Sequence, residues 1–395
     1  MSFPSIPPRP ADAVFALNKE YNLDPSPLKI SCGVGAYRDA EGRPLVLRAV
    51  KEAKERLLDS DPGNEYLPIE GDAEFLRLSR ELCFGSDPSG VQSVQSLSGT
   101  GALYLVHRLF ATYGSTKKVY FSDPTWGNHK AVALAAGLEP GTYTYLDSRD
   151  PCKPAFDLKG MLASMDAMPP GSMIVLQACG HNPTGVDPSP SEWDAVVSKC
   201  GEKGLVVCMD NAYQGFATGS PDDDRLAMEK FLASGQEFFV CCSYAKNFGL
   251  YGQRVGACHV VSPNAADVVS QLKGVARTTY SNPPKHGSDI VKTVLGDERL
   301  RKEWVDELGE MAGRIRDMRA KLRAGLESSL PGTSWSHVTS QIGMFSYTGL
   351  TPAEVERCKR ESVYMLSTGR VSVAGINEGN LERIVGVIAG ARKGE

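Results

Sequence analysis

Between residues 93 and 262, short apolar runs rich in β-branched residues alternate with helix-like segments, and this alternation constrains the fold more than any other feature. Residues 94–97, 118–122, 173–178, 205–210, 238–243 and 255–261 are each flanked by Gly, Pro, Asn or Asp turn signals. Most are apolar at successive positions. A strand with one wet face would alternate, so both faces of these strands are expected to be covered. The fold expected is α/β, with a mostly parallel central sheet and helices on both sides. Polar residues collect at the run ends: Ser98-Gly99-Thr100 after the first, Asp210 closing the fourth, Ser243 to Lys246 after the fifth. Ligands of open α/β sheets bind beyond the carboxyl ends of the strands, so the chemistry is expected there.

After residue 297 the period changes. Trp304, Leu308, Met311, Ile315, Met318, Leu322 and Leu326 recur every three or four positions, predicting one long amphipathic helix with Asp297 as its N-cap. Segments 341–350 and 371–374 are too short for a core of their own and are expected to fold with the N-terminal part of the chain.

Composition narrows the function classes. With 395 residues, 42% apolar and 23% charged, the chain suits two or three folded domains rather than long disordered tails. A net charge of −4 gives no general attraction to nucleic acid or anionic membranes, so a small-molecule substrate is expected. No run of about 18 apolar residues spans a membrane. The opening MSFPSIPPRP lacks a signal-peptide core and transit-peptide amphipathicity and reads as an extended arm. The ten cysteines, 152 among them, form no C-x-x-C pair, so buried reduced thiols are expected rather than disulfides or a metal site. The cytoplasm fits best; an organellar form freed of its targeting segment would read the same. No G-x-G-x-x-G follows a strand-like run and no G-x-x-x-x-G-K-[ST] occurs, which argues against a nicotinamide dehydrogenase and a nucleotide triphosphatase.

The most informative stretch is SYAKNFGLYGQRVG, residues 243–256. A lysine in a tight, partly desolvated turn loses its proton more easily and attacks aldehydes, while Arg254 offers a fixed guanidinium to a phosphate. That spacing suits a phosphorylated aldehyde. Ser98, Gly99 and Thr100 follow a strand and open a helix, so backbone N–H groups and two hydroxyls face an anion. Asp210 ends an apolar strand, where a bare carboxylate is costly without a cationic partner.

The 243–256 window resembles the cofactor-lysine signature of the class I pyridoxal-phosphate-dependent aminotransferases. Nine further segments resemble the aspartate aminotransferase branch of that family, in order along the chain: GVGAYRD (33–39), EYLPIEG (65–71), SLSGTGAL (96–103), DPTWGNH (123–129), HNPTGVDP (181–188), DNAYQGFATG (210–219), RTTYSNPP (277–284), QIGMFSYTGL (341–350) and TGRVSVAG (368–375). The resemblance implies a PLP-transferase fold of type I. It implies an arm and part of a small domain over 1–44, a large cofactor-binding domain over 45–310, and the rest of the small domain over 311–395.

It also implies roles. Lys246 forms a Schiff base with pyridoxal 5'-phosphate and shuttles the substrate proton. Asp210 faces the pyridine nitrogen, and Tyr213 and Asn182 donate to the phenolic oxygen. Ser98, Gly99, Thr100, Ser243 and Arg254 cup the phosphate, joined by Tyr66 of a second subunit; Trp126 stacks on the ring. His129 stands behind Asp210 and is not a metal ligand. Arg370 grips the substrate α-carboxylate, with Gly35, Trp126 and Asn182 also on the substrate side, and Arg277 reaches the distal carboxylate across a dimer interface. The activity implied is amino transfer between L-aspartate and 2-oxoglutarate in a homodimer with shared sites. The runner-up is an aromatic or broad-specificity aminotransferase. A non-catalytic relative is disfavoured because Lys246, Asp210, Arg254 and Arg370 are all present. Departures from the family pattern are Gln177 in place of a histidine, Gly180 in place of an alanine, Tyr104 in place of an arginine, and the pair Cys241-Cys242. Together these departures bear on the tuning behind Asp210, and hence on the pH optimum more than on the activity.

Overall fold

The computed structural model describes every residue except 1, 2, 4, 5, 9, 10, 34, 40, 41, 148, 150–153 and 395. Part of the N-terminal arm and Cys152 therefore lie outside the described residues. The alternation of the sequence becomes one sheet of seven strands: β1 (Val91–Leu97), β2 (Lys118–Asp123), β3 (Glu139–Thr144), β4 (Met173–Gln177), β5 (Val206–Asn211), β6 (Phe238–Ser243) and β7 (Val255–Val261). Their order is β1-β7-β6-β5-β4-β2-β3. Pairings among β6, β5, β4, β2 and β3 are parallel, whereas β7 runs antiparallel to β1 and β6. That single reversal brings Val255 opposite Leu97 and Gly256 opposite Ser243. Arg254, just before β7, thus lies at the same edge as the carboxyl ends of β1 and β6.

Both faces are covered, which explains the unbroken apolar runs. In β6, Val240 and Cys242 enter one apolar cluster while Cys241 enters the other, with Cys208 and Cys258. Helices α3 (Ser98–Tyr113) and α4 (Ala265–Thr279) contribute to the second cluster, and α2 (Ala73–Phe84) to the first. The edge strand β3, EPGTYT, has no consecutive apolar run and contains Pro and Gly, which is tolerated only at a sheet edge. It was not expected from the sequence. The expected strands 238–243 and 255–261 keep their bounds, and the other four differ by one to three residues at one or both ends. Ala178, just past β4, still donates to the Asp210 carbonyl at 2.9 Å.

The long helix α5 runs Glu298–Ser329, and Asp297 caps it by accepting from Leu300 N at 3.0 Å. All seven apolar residues of the period are buried. Near its start, Trp304 Nε1 donates to the Asn247 carbonyl at 2.7 Å and its indole stacks on Phe248 at 4.6 Å, fixing the turn that carries Lys246. Further along, the buried Arg319 donates to the carbonyls of Val338, Ile342, Gly343 and Phe345, and burial lowers its pKa to about 9. Ile30–Ser31 pair in parallel with Val363–Tyr364, so the two ends of the chain meet.

A helix absent from the expectations, α1 (Ala13–Leu23), follows the arm; Asp12 caps it by accepting from the N–H groups of Val14 and Phe15. The nine described cysteines are all buried and unbonded. Among the described residues, no helix is long and apolar enough to cross a membrane.

Candidate active site

A cavity of about 420 Å³ opens at the carboxyl ends of the parallel strands. Ser98, Gly99, Thr100, Trp126, Asn182, Asp210, Tyr213, Ser243, Lys246 and Arg254 line it, so residues spread over 157 positions of sequence converge there. Its size is ordinary for a small-molecule site.

One end is built for an anion. Ser98 and Arg254 both hold left-handed backbone, φ 60° and 53°, a conformation that costs non-glycine residues on the order of 1 kcal/mol or more and gathers at functional sites. Gly256 permits it: a Cβ there would sit 2.4 Å from the Cys242 carbonyl and 2.7 Å from Ser98 Cα. Ser98 and Ser243 join hydroxyls at 2.8 Å at the N-terminus of α3, where unpaired N–H groups favour negative charge. The exposed Arg254 donates to the Tyr251 carbonyl at 2.9 Å, and its other N–H groups make no hydrogen bond among the described residues.

Next to the cup stands a buried carboxylate, with Asp210 Oδ1 4.0 Å from where a Cβ on Gly99 would lie. Asp210 Oδ2 meets His129 Nε2 at 3.0 Å, and His129 Nδ1 is fixed by Thr125 Oγ1 at 2.8 Å. The imidazole is clamped further by stacking on Phe121 at 5.3 Å and by the edge of Trp126 at 5.2 Å. Asp210 Oδ1 accepts no hydrogen bond among the described residues, although the residue is 7% exposed. On the same cavity, Lys246 Nζ is likewise without a hydrogen bond among the described residues and lies 5.3 Å from the Tyr213 ring centroid. Desolvation lowers its pKa and Arg254 adds to the effect, with Asp210 opposing. Asn182 Nδ2 donates to Tyr213 Oη at 3.3 Å, and burial raises the tyrosine's pKa, keeping it a proton donor.

An anion cup, an amine of lowered basicity and a carboxylate with an open oxygen are the complementary groups for a phosphate, an aldehyde and a protonated ring nitrogen. The donor set therefore fits pyridoxal phosphate.

Arg370 and Gly35 adjoin the cavity rather than line it. The buried Arg370 donates to Asn182 Oδ1 at 3.2 Å and to the Gly33 carbonyl, and its guanidinium lies 4.4 Å above the Phe345 ring. Gly35 gives that ring room, since a Cβ there would sit 3.0 Å from Phe345 Cζ. Arg319, which holds the Phe345 carbonyl, thus supports Arg370 from below. Tyr66, 82% exposed, and Arg277, exposed in the last turn of α4 with Ser281 as partner, are not brought to this chain's own cavity.

Sequence reasoning missed Phe15, Asn128 and Ala212 on the cavity wall, and Arg319 beneath it. Phe15 had a signal, the Asp12 cap followed by a helical spacing; Arg319 had none, being one more cation on a charged helix. The Gln177 side chain acts on the backbone of Asn182. It does not bond to Asp210 but clamps Asn182, donating to its carbonyl at 3.0 Å and accepting from its N–H at 2.9 Å. Gln177→Ala strands two buried backbone groups, so unfolding free energy is expected to fall by about 1–3 kcal/mol. Denaturant unfolding reads this directly, and an unchanged midpoint would mean that Asn182 does not depend on Gln177.

Comparison with known proteins agrees with this geometry. Residues 28–388 match the family model of the class I and II aminotransferases. A mitochondrial aspartate aminotransferase of Dictyostelium discoideum is 42% identical over 97% of this chain and 92% of its own length. The structure of an aspartate aminotransferase from the cytoplasm of Saccharomyces cerevisiae superimposes with a TM-score of 0.96 at 38% identity, covering 99% of this chain and 98% of that one. An aromatic-amino-acid aminotransferase of Burkholderia pseudomallei, covalently bound to pyridoxal phosphate, gives 0.95 at 41% identity, covering 99% of this chain and all of that one. With a match this long and relatives this similar, the chain belongs to the class I and II aminotransferases.

Proposed function

We propose that this protein is an aspartate aminotransferase, transferring the amino group reversibly between L-aspartate and 2-oxoglutarate to give oxaloacetate and L-glutamate, with pyridoxal phosphate on Lys246. The observation that carries the reading is the convergence of Lys246, Asp210 and the Ser98–Ser243–Arg254 cup on one cavity. When bound, pyridoxal phosphate supplies a carbon that bonds to amines and a protonated ring that accepts the electron pair left at a deprotonated Cα.

The protein's part is binding, orientation and proton transfer. Ser98, Gly99, Thr100, Ser243 and Arg254 hold the phosphate. Asp210, steadied by His129, receives the ring N–H on its open oxygen. Tyr213 and Asn182 donate to the phenolic oxygen, and Trp126 covers the ring. Lys246, of lowered basicity, takes the proton from the substrate Cα as general base and gives it back as general acid. Arg370, oriented by Asn182 and Phe345, pairs with the α-carboxylate, beside Gly35.

Two copies of the chain share their sites. Tyr66 and Arg277 are exposed and stand away from the cavity of their own chain, which supports their serving a second copy. Arg277 then binds the distal carboxylate of a dicarboxylic substrate. Residues 1–44 and 311–395 form a small domain and 45–310 the large one; the pairing of Ile30–Ser31 with Val363–Tyr364 supports this division. The cytoplasm is the proposed compartment, since nine buried free thiols suit a reducing environment, with an organelle as the alternative.

The test is a panel of paired amino and oxo acids on protein loaded with pyridoxal phosphate. Loading is expected to give an absorption band beyond that of the protein's aromatic residues. Aspartate with 2-oxoglutarate is expected to turn over fastest, with ping-pong kinetics. A colourless protein after loading, or a panel in which phenylalanine outruns aspartate, would sink this assignment.

A further inference from the structure

Cys83, in the last turn of α2, faces Cys242 on β6 with 3.1 Å between their sulfurs, about 1 Å more than the roughly 2.05 Å of a disulfide bond. His259 on β7 completes the group, all three ligand-type atoms lying within 4.8 Å of one another. A metal is the less apt occupant, because both imidazole nitrogens are already engaged: Nδ1 with Ser93 Oγ at 2.7 Å and Nε2 with Ser79 Oγ at 2.9 Å. Binding a cation would break one of these buried hydrogen bonds. The Asn211 amide donates towards both sulfurs, at 3.7 Å to Cys83 and 3.9 Å to Cys242. None of these side chains has a part in amino transfer.

The two sulfurs are not equivalent. Burial disfavours a thiolate at Cys83, but the Cys242 S–H, His259 and Asn211 outweigh it and lower its pKa; burial and the neighbouring Cys83 raise that of Cys242. A second pair, Cys208 and Cys241, sits on the other face of the sheet at 3.7 Å, where burial raises Cys241.

We propose that Cys83 and Cys242 are a redox pair that closes to a disulfide when the protein meets hydrogen peroxide. The Cys83 thiolate attacks one peroxide oxygen; the S–O bond forms, the O–O bond breaks, hydroxide leaves, and sulfur is oxidised by two electrons to the sulfenic acid. Cys242 sulfur then attacks Cys83 sulfur; the S–S bond forms, the S–O bond breaks, and the departing hydroxide leaves with the Cys242 proton as water. Peroxide is nearly as small as water and reaches the buried pair through transient opening of the packing around it. Cys242 thereby shields Cys83 from irreversible oxidation.

Peptide mapping of the peroxide-treated holoenzyme under non-reducing conditions, after alkylation, tests this. A linked pair of peptides bearing Cys83 and Cys242 is expected, lighter by two hydrogens than the sum of the free peptides and separated by dithiothreitol. Cys208 and Cys241 are expected to remain alkylated. In Cys242→Ser, Cys83 is expected to accumulate as sulfinic acid. The proposal is overturned if both thiols stay alkylatable at peroxide doses that fully oxidise a free cysteine-containing peptide, or if Cys208 and Cys241 link as readily. It is equally overturned if the purified protein carries one zinc per chain that Cys83→Ser abolishes.

Discussion

Lys246→Ala is expected to slow steady-state transamination by about 10²–10⁴-fold, the range associated with losing a positioned general acid–base, with the larger value favoured because the covalent anchor goes too. The loss is expected in kcat rather than in substrate binding, since Arg370 and Asn182 are untouched. It is also expected without loss of stability. Lys246 has its pKa lowered from the usual 10.5 by burial, so the unfolded chain binds this proton more tightly than the folded one. Its contribution is therefore unfavourable at neutral pH, and it fades as pH rises through the folded pKa towards 10.5. Lys246→Met, which keeps the volume, should be at least as stable as the cofactor-free wild type at pH 7, with the difference shrinking in alkali. Wild-type turnover by either variant would remove Lys246 from the role given to it.

That a destabilised lysine is tolerated says where the fold's rigidity is spent. The Lys246 turn is held from outside by the Trp304 indole on the Asn247 carbonyl and by Asn247 Nδ2 on the Gln214 carbonyl at 3.1 Å. The anion cup is held by Gly256, which lets β7 approach Ser98, and by two residues in left-handed backbone. These are constraints from neighbours distant in sequence, and they explain what could be read in advance. The sheet was legible because burial on both faces demands consecutive apolar residues, and α5 because one covered face demands a 3.6-residue period. Edge strand β3 was not, since half its residues meet solvent and nothing in EPGTYT records the pairing.

The same reasoning separates the site residues. Lys246, Asp210 and Arg254 sit at strand ends, so the ends of apolar runs located them. Arg319 and Phe345 act through contacts that no local pattern encodes: a cation satisfied by backbone carbonyls, and a ring beneath Arg370. Gln177 shows the limit in another way. A motif comparison marks it as a departure, but only the structure reveals that its amide pairs with the Asn182 backbone.

On the proposed function, Arg277 is the residue on which substrate choice turns. Arg277→Ala is expected to lower kcat/KM for aspartate relative to phenylalanine by about 2–4 kcal/mol, or roughly 30- to 1000-fold, as for a desolvated ion pair lost on one side. Equal losses for both substrates would contradict its role, and greater retention of aspartate turnover would favour the aromatic reading. Because Arg277 stands away from its own chain's cavity, the same variant also tests the shared site. Consider chains carrying Lys246→Ala mixed with chains carrying Arg277→Ala. In a mixed dimer with crossed contributions, one site receives both lesions and the other neither. Random pairing makes roughly half the dimers mixed, each with one intact site, so roughly a quarter of wild-type aspartate turnover is expected to return. If each chain used its own Arg277, every site would carry a lesion and mixing would restore nothing. Recovery on mixing thus measures, in one assay, that the protein dimerises and that Arg277 crosses the interface to the site whose lysine belongs to the other chain.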